Sequence, residues 1–389
     1  MVTNAASETP QPTATAKPSA RLGRLLGFLE RDPNNLALLG EGASIAFDER
    51  AFDLAAELLD RRATLEPLPP PLVNLKGVVE IARRNYAEAA MAFETLRAEG
   101  HDDAAVRFNL AWAKAMTGAY QEAADLLDDE AIAASPRAPA LKIQMLHHLE
   151  RYDDALAAGE ELAKLYPDNH ALMGALATLA IDAEKPDLAR AYAERAGDNA
   201  EGRAALGFLT LGEHDTGKAL EIFEQAAAAQ PNNPRAWVGK GLALMASGAA
   251  AAASEALDRG AELFGDHLGS WIASGWAHFV QKNYPQARAS FDRAMALDPN
   301  FSETHGGLAV LDIVDGNLDS ARRRTETALR LDRNSFGGML AKSLLLERSG
   351  HPRAGQRIVE AALSMPVGLN GETIAQAIAA FGYGGPRRK

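Results

Sequence analysis

The amino-acid sequence predicts an all-α protein, a solenoid of about ten helix–turn–helix units. Three observations support this prediction. Small residues recur every 34 positions along most of the chain, a second set of small residues lies 12 positions before the first, and prolines stand near the ends of many units. Such spacing is typical of repeat proteins, in which each unit buries its apolar face only against its neighbours.

The first set of small residues defines the phase of the units. Successive members of the set are 34 residues apart from Ala55 through Ala89 to Ala123, and again from Ala219 onward. Only two steps deviate, by two and by four residues, near residues 133–139 and 197–202. We interpret these steps either as borders between subdomains or as ordinary drift of loop length. The set reads Ala55, Ala89, Ala123, Ala155, Ala189, Ala219, Ala253, Ala287, Ala321 and Gly355.

The second set of small residues predicts where the two helices of a unit touch. A Gly or Ala on the first helix lets the second helix approach closely, and an aromatic residue then fills the space between successive units. Ile143 breaks the set. Proline ends the second helix because it lacks a backbone N–H. The set reads Ala43, Gly77, Ala111, Ala177, Gly207, Gly241, Gly275, Ala309 and Ser343, and the prolines are Pro33, Pro67, Pro167, Pro231 and Pro299.

These columns resemble the tetratricopeptide repeat, whose unit is two antiparallel helices joined by a turn. The resemblance covers roughly residues 20–365 and is strongest in the unit that begins at Leu268. It implies a right-handed superhelical solenoid of about ten such units, whose first helices line a concave inner surface. Thr325, Gly159 and Ala193 depart from the pattern, which expects a large residue there. In the strongest unit the consensus places hold Trp271, Gly275, Tyr284, Ala287, Phe291, Ala294 and Pro299.

The ends of the chain differ from the repeats. Because terminal units need polar caps, we predict a lone second helix at Ala20–Arg31 and a closing helix at Glu372–Phe381. We expect four segments in all. They are a disordered N-terminal tail at residues 1–19, an N-terminal array at residues 20–200, a C-terminal array at residues 201–366, and a capping helix with a Gly-rich basic tail at residues 367–389.

Composition and charge exclude several function classes. The formal net charge of -12 argues against a nucleic-acid partner, because phosphate binding needs clustered Lys and Arg. The chain has no Cys, which excludes disulfides, thiolate catalysis and Cys-type zinc sites. Without an apolar run of about 18 residues, we expect no membrane-spanning helix. We expect a cytoplasmic protein, although a misassigned start codon would hide a signal sequence.

Two patterns suggest chemistry at first inspection, and both have a simpler interpretation. Residues 212–219 approach the phosphate-binding GxxxxGK[ST] loop, but Ala219 replaces the required hydroxyl and the segment follows a helix instead of a strand. His147 and His148 are adjacent, so on a helix their side chains point about 100° apart and cannot bind one metal together. We therefore predict a protein that is not an enzyme and binds no cofactor and no metal ion.

The first helices carry the predicted partner site. One residue after each small position, and again three residues later, the side chains are mostly apolar or aromatic, which suits an amphipathic helix or an extended apolar peptide. A competing interpretation is that some of them only pack one first helix against the next. The predicted groove residues are Phe108, Asn109, Trp112, Arg137, Gln144, His147, His148, Phe208, Trp276 and Phe279.

We therefore predict a scaffold or adaptor whose partner is a protein or peptide, with a homo-oligomer as a further possibility. The alternative is an accessory or assembly factor of a bacterial envelope machine for pili, secretion or polysaccharide export. Some members of the tetratricopeptide-repeat family hold the carboxyl end of a chaperone with Lys, Arg and Asn side chains. Asn74 and Asn109 lie on first helices, but Lys and Arg do not fall at matching places. A chaperone-tail adaptor is therefore disfavoured.

The four tryptophans are expected to have different roles. Trp237 and Trp271 stand four residues before a small first-helix position and should be packed inside the array. Trp112 and Trp276 stand one residue after such a position and should face the groove, where a large amphipathic ring often anchors a partner.

Overall fold

The computed structural model describes residues 19–364, 366–367 and 372–373. This part of the chain contains 22 α-helices joined by short turns, followed by two short strands. The predicted all-α repeat fold is confirmed. The helices form two compact units, Met1–Leu165 and Tyr166–Lys389. The predicted change of array at residues 200–201 falls within the second unit and stays a prediction.

The first unit contains ten helices, and α1 has the bounds that the sequence predicts. Successive helices pack as pairs, with α2 on α3, α4 on α5, α6 on α7 and α9 on α10. The helices are α1 (Ala20–Arg31), α2 (Leu36–Asp48), α3 (Phe52–Leu65), α4 (Pro70–Ala82), α5 (Tyr86–Ala98), α6 (Ala104–Met116), α7 (Tyr120–Leu126), α8 (Asp129–Ala134), α9 (Ala138–His148) and α10 (Tyr152–Leu165).

The second unit contains the remaining helices, paired in the same way from α11 on α12 to α21 on α22. They are α11 (His170–Asp182), α12 (Pro186–Ala196), α13 (Ala200–Gly212), α14 (Thr216–Ala229), α15 (Pro234–Ala246), α16 (Ala250–Phe264), α17 (Leu268–Val280), α18 (Tyr284–Leu297), α19 (Ser302–Val314), α20 (Leu318–Leu331), α21 (Phe336–Arg348) and α22 (Pro352–Leu363). None of the described helices has the length and apolarity needed to cross a membrane.

The chain after α22 differs from the prediction. Strands β1 (Pro366–Val367) and β2 (Glu372–Thr373) pair antiparallel, with Pro366 opposite Thr373. Glu372 and Thr373 therefore lie in a strand and not in the predicted closing helix. The rest of that predicted helix, like the predicted N-terminal tail up to residue 18, lies outside the described residues.

Buried phenylalanines join neighbouring helix pairs. Phe291 on α18 is fully buried, and a Cβ added at Gly275 of its own unit would lie 2.8 Å from its ring. A Cβ at Gly307, on α19 of the next helix pair, would lie 2.6 Å from the same ring. Phe223 on α14 is held in the same way between Gly207 and Gly239. Each ring thus fits only because two first helices lack a side chain where it enters.

In each helix pair from α2–α3 to α21–α22, the turn between the two helices contains one residue in the left-handed backbone conformation. The backbone N–H of the next residue donates a hydrogen bond to the carbonyl five residues before it, as Asn283 N does to His278 O at 3.0 Å. This hydrogen bond is that of the Schellman motif, which ends many helices. Six of the ten turn residues are not glycine, and each such residue costs about 1–2 kcal/mol. The ten are Arg50, Arg84, Gly118, Glu150, Glu184, His214, Gly248, Lys282, Gly316 and Gly350.

The two phase deviations have local structural causes. In the first unit, the second helix after α6 is broken into α7 and α8, and the Asp128 side chain caps α8 by accepting from Ala131 N at 2.8 Å. Lys142 Nζ donates to Ala124 O near the end of α7 at 2.6 Å, and burial lowers the pKa of Lys142. In the second unit, α12 is short and Asn199 begins α13 three residues after it ends.

The packing of Phe223 predicts a large effect of one methyl group. Gly239→Ala places a Cβ on the Phe223 ring and should lower the free energy of unfolding by about 1–3 kcal/mol. Gly217→Ala in α14 is the control, because no heavy atom lies within 4 Å of its Cβ. It should leave stability unchanged or raise it by up to about 1 kcal/mol. Urea unfolding followed by circular dichroism measures both, and equal stabilities would contradict this packing.

Candidate functional site

The predicted groove residues of the first unit centre on α6. This helix is capped by Asp103, the residue before it, whose carboxylate accepts hydrogen bonds from the backbone N–H groups of Ala105 and Val106 at 3.0 and 2.9 Å. Val106, Leu110 and Ala113 are buried in the core of the unit. A separate face of α6 is left partly exposed.

Phe108, Trp112 and Met116 follow one another at four-residue spacing and so lie along this exposed face. The rings of Phe108 and Trp112 are both half-buried, with centroids 6.4 Å apart, and Met116 is 43% exposed. Asn109 is half-buried beside Phe108. Met116 was missed by the sequence prediction, although its spacing from Trp112 was a usable signal.

Arg137 completes this surface. It stands directly before α9, and its guanidinium carbon lies 5.7 Å from the centre of the Trp112 ring. The residue is half-buried, and burial lowers the pKa of Arg137. We call Phe108, Trp112, Met116 and Arg137 the α6 surface. It combines an apolar row with one cation stacked on an aromatic ring.

The histidines of α9 belong to a cluster of rings. His148 stacks on Tyr120 with centroids 4.4 Å apart, and His147 contacts Tyr152 at 5.8 Å. The two tyrosines begin α7 and α10, so His148 lies against the preceding helix pair and His147 against the second helix of its own pair. Gln144 is half-buried one turn earlier on α9.

The predicted groove residues of the second unit take part in core packing. Phe208 on α13 meets Phe223 edge to face at 5.0 Å. Trp276 on α17 contacts Phe291 at 5.4 Å and Phe279 at 5.6 Å, and it also reaches Phe336 on α21 at 6.2 Å. These rings are half-buried against the buried core of the unit. The structure thus brings Trp276 and Phe279 together, while Phe208 packs with a different helix pair.

Trp237 and Trp271 are not enclosed as predicted. Both are half-buried, and each indole N–H donates to a carbonyl at the unit border, Pro231 O at 2.9 Å and Gly265 O at 3.0 Å. A half-buried tryptophan satisfies its N–H in this way while its ring stays near the surface. Lys240 and Arg293 lie over the two rings at 5.6 and 5.8 Å. Trp271 also lines a surface pocket of about 260 Å³.

Ser274, Asp258 and His278 of the second unit lie together but not in the arrangement of a Ser-His-Asp triad. Ser274 Oγ donates to one carboxylate oxygen of Asp258 at 2.6 Å, and His278 Nε2 lies 2.9 Å from the other. Asp258 therefore separates the hydroxyl from the imidazole, whereas nucleophilic catalysis needs them bonded. Residues 212–219 span the turn between α13 and α14, as predicted, with residues 213–215 in the turn itself and residues 216–219 in the first turn of α14. The described residues contain no group of three side chains suited to a metal ion.

His267 at the start of α17 is a titratable helix cap. Its Nδ1 accepts a hydrogen bond from Ser270 N at 3.2 Å, and its ring lies 4.6 Å from that of Phe264. Desolvation by burial, and next the charge of Arg235, lower the pKa of His267. Arg235 is held in place by a bidentate contact with Asp182, at 2.7 and 3.4 Å.

Comparison with known proteins places this fold among repeat proteins. Two family models described as tetratricopeptide repeat match the chain, one at residues 210–269 and 279–343 and the other at residues 74–139 and 249–302. Protein O-mannosyl-transferase TMTC1 of Mus musculus is 30% identical over 115 residues, which are 28% of this chain and 12% of that protein. The Homo sapiens protein of the same name is 24% identical over 191 residues, 47% of this chain and 22% of that protein.

This chain therefore spans less than a quarter of the curated relatives that it matches. Among solved structures, the human IFIT1 dimer with m7Gppp-AAAA is similar to this chain with a TM-score of 0.51 and 13% identity. The likeness covers 88% of this chain and 93% of IFIT1. At this identity it shows a shared fold and nothing about the ligand.

The cap at His267 predicts a pH dependence of stability. The fold favours the neutral ring, so its contribution is present above the unfolded-state pKa of 6.5 and is lost as the pH falls below it. His267→Asn keeps a capping oxygen that cannot titrate. Between pH 7.5 and 5.5 the natural chain should therefore lose up to about 1 kcal/mol more stability than the variant. Thermal melts of both proteins at the two pH values measure this, and parallel losses would contradict it.

Proposed function

Because the chain belongs to the tetratricopeptide-repeat family, we propose that it is a scaffold or adaptor that binds a peptide or helix of a partner protein. The family and the repeat fold support a role in protein interaction in general. The finer proposal is that the partner lies on the first helices and that the α6 surface makes the main contact.

The observation that carries this proposal is the row of Phe108, Trp112 and Met116 on one helix face. Large rings that are half-buried at a surface lose little conformational entropy on binding and are common energetic centres of interfaces. A row at four-residue spacing also matches the apolar stripe of an amphipathic helix.

The α6 surface is a better candidate than the rings of the second unit. Trp276 contacts three other aromatic rings on three helices, so its removal would leave a cavity in the array. Among the described residues, Trp112 contacts one aromatic ring, that of Phe108, and the cation of Arg137. A ring with few internal partners keeps more of its surface for a ligand.

The names of the relatives suggest two other activities, and the chain favours neither. The sugar transfer named for the TMTC1 proteins belongs to chains of which this one spans less than a quarter. The capped RNA in the IFIT1 structure carries phosphates, which a chain with a formal charge of -12 would repel.

The identity of captured partners would also separate a cytoplasmic adaptor from an accessory factor of an envelope machine.

We expect Trp112→Ala to weaken partner binding by about 2 kcal/mol, because it removes the central ring of the α6 surface. It should change the free energy of unfolding by less than about 1 kcal/mol. Affinity purification with the natural chain and the variant as baits, quantified by mass spectrometry, identifies partners that depend on Trp112. Calorimetry with the captured partner then gives the affinities.

Trp276→Ala is the matched control. It should cost about 3–5 kcal/mol of stability by opening a cavity among aromatic rings. If Trp112→Ala melts as early as Trp276→Ala and the captured proteins stay the same, Trp112 is a core residue and the α6 surface is not the binding site.

A further inference from the structure

Arg137 differs from Arg107 and Arg83, two other half-buried arginines of the first unit, because both of those form ion pairs. Arg107 pairs with Asp102, Asp128 and Glu130, and Arg83 pairs with Asp53 and Glu80. Arg137 has no carboxylate within ion-pair distance among the described residues, and burial is the cause of its lowered pKa.

The guanidinium of Arg137 is free to meet a ligand. Its side-chain nitrogens donate to no described group, and none of them is among the buried atoms without a partner, so they reach solvent. The Trp112 ring, whose centre lies 5.7 Å from the guanidinium carbon, compensates part of the desolvation cost. A carboxylate is the group that this planar set of donors matches best, through two parallel hydrogen bonds.

The surroundings of Arg137 select among anions. The row from Phe108 to Met116 extends for about 12 Å, or roughly two turns of a helix, and demands apolar side chains opposite it. Several carboxylates lie close to the ends of α6 and α8, including Asp103 and Asp129. With a net charge of -12, they disfavour a polyphosphate or an anionic membrane more than a single carboxylate.

Resting on the proposed function, we infer that the α6 surface recognises an amphipathic helix whose apolar stripe carries one Asp or Glu. The apolar residues lie along Phe108, Trp112 and Met116, and the carboxylate pairs with Arg137. Arg137 thereby determines specificity, because a partner with an amide in place of the carboxylate leaves the cation unpaired.

The test uses the full chain and a displayed library of random helical peptides. Peptides are selected on the natural protein, and their affinities are measured for the natural chain, Trp112→Ala, Arg137→Gln and Arg293→Gln. Arg293 is the matched control, because it stacks on Trp271 at 5.8 Å without an ion pair among the described residues. Melting curves show whether each variant is folded.

We expect the selected peptides to share one acidic residue within an apolar stripe. Arg137→Gln should weaken them at least tenfold, and replacing the peptide's acid with its amide should cost the same on the natural chain and nothing more on Arg137→Gln. Arg293→Gln should leave the affinities unchanged. Peptides that depend on Trp112 but ignore both Arg137 and their own acid would overturn this inference while leaving the proposed function intact. If no selected peptide depends on Trp112, both fail.

Discussion

The close approach of helices around a buried phenylalanine is the contact on which the rest of this structure depends. Phe223 and Phe291 each enter a space that exists because glycine stands on two different first helices. One of those helices belongs to the same helix pair as the ring, and the other belongs to the next pair. A single ring therefore fixes both the angle between the two helices of a pair and the stacking of one pair on the next. Within the second unit, this packing positions the first helices α13, α15, α17 and α19.

The sequence predicted the units well because their pattern is set by packing that repeats. The small residues mark the contact between the two helices, and Phe291 occupies the place expected for the large residue opposite Gly275. The left-handed turn residues could not be predicted in the same way. Six of the ten carry a side chain, as at Lys282, so the usual glycine signal was absent and only the hydrogen-bonding pattern of the chain reveals the turn.

The broken second helix between α7 and α8 was visible in the sequence only as a step of two residues. Its cause is specific, because Asp128 caps the new helix and Lys142 satisfies a carbonyl where the old one ends. Both are long-range or side-chain effects that periodicity does not record. The strand at Glu372–Thr373 was missed for a similar reason, since a two-residue pairing leaves no periodic trace.

The candidate site stays a prediction. The position one residue after Ala111 selected Trp112, which is half-buried, and the structure adds Met116 and places Arg137 over the Trp112 ring. The burial of Trp237 and Trp271 was overestimated, although Trp237 does pack against the core. The position in the repeat indicates where the side chain begins, whereas the hydrogen bond of the indole N–H determines where the ring lies. Each indole follows its hydrogen bond to the unit border and stays near the surface.

At the borders between helix pairs, a residue of the second helix matches in size the residue that it meets on the next first helix. The helix pairs therefore cannot be exchanged freely. Phe223 meets Gly239 and Phe291 meets Gly307, whereas Leu257 shares its border with Ala273. A unit copied or moved within the gene would bring a large residue against the wrong neighbour, and the new border would clash or leave a void. Duplication of the single helix pair α17–α18 would place Phe291 against Ala273 and would therefore need a compensating substitution, so the order of the helix pairs is inherited as part of the fold.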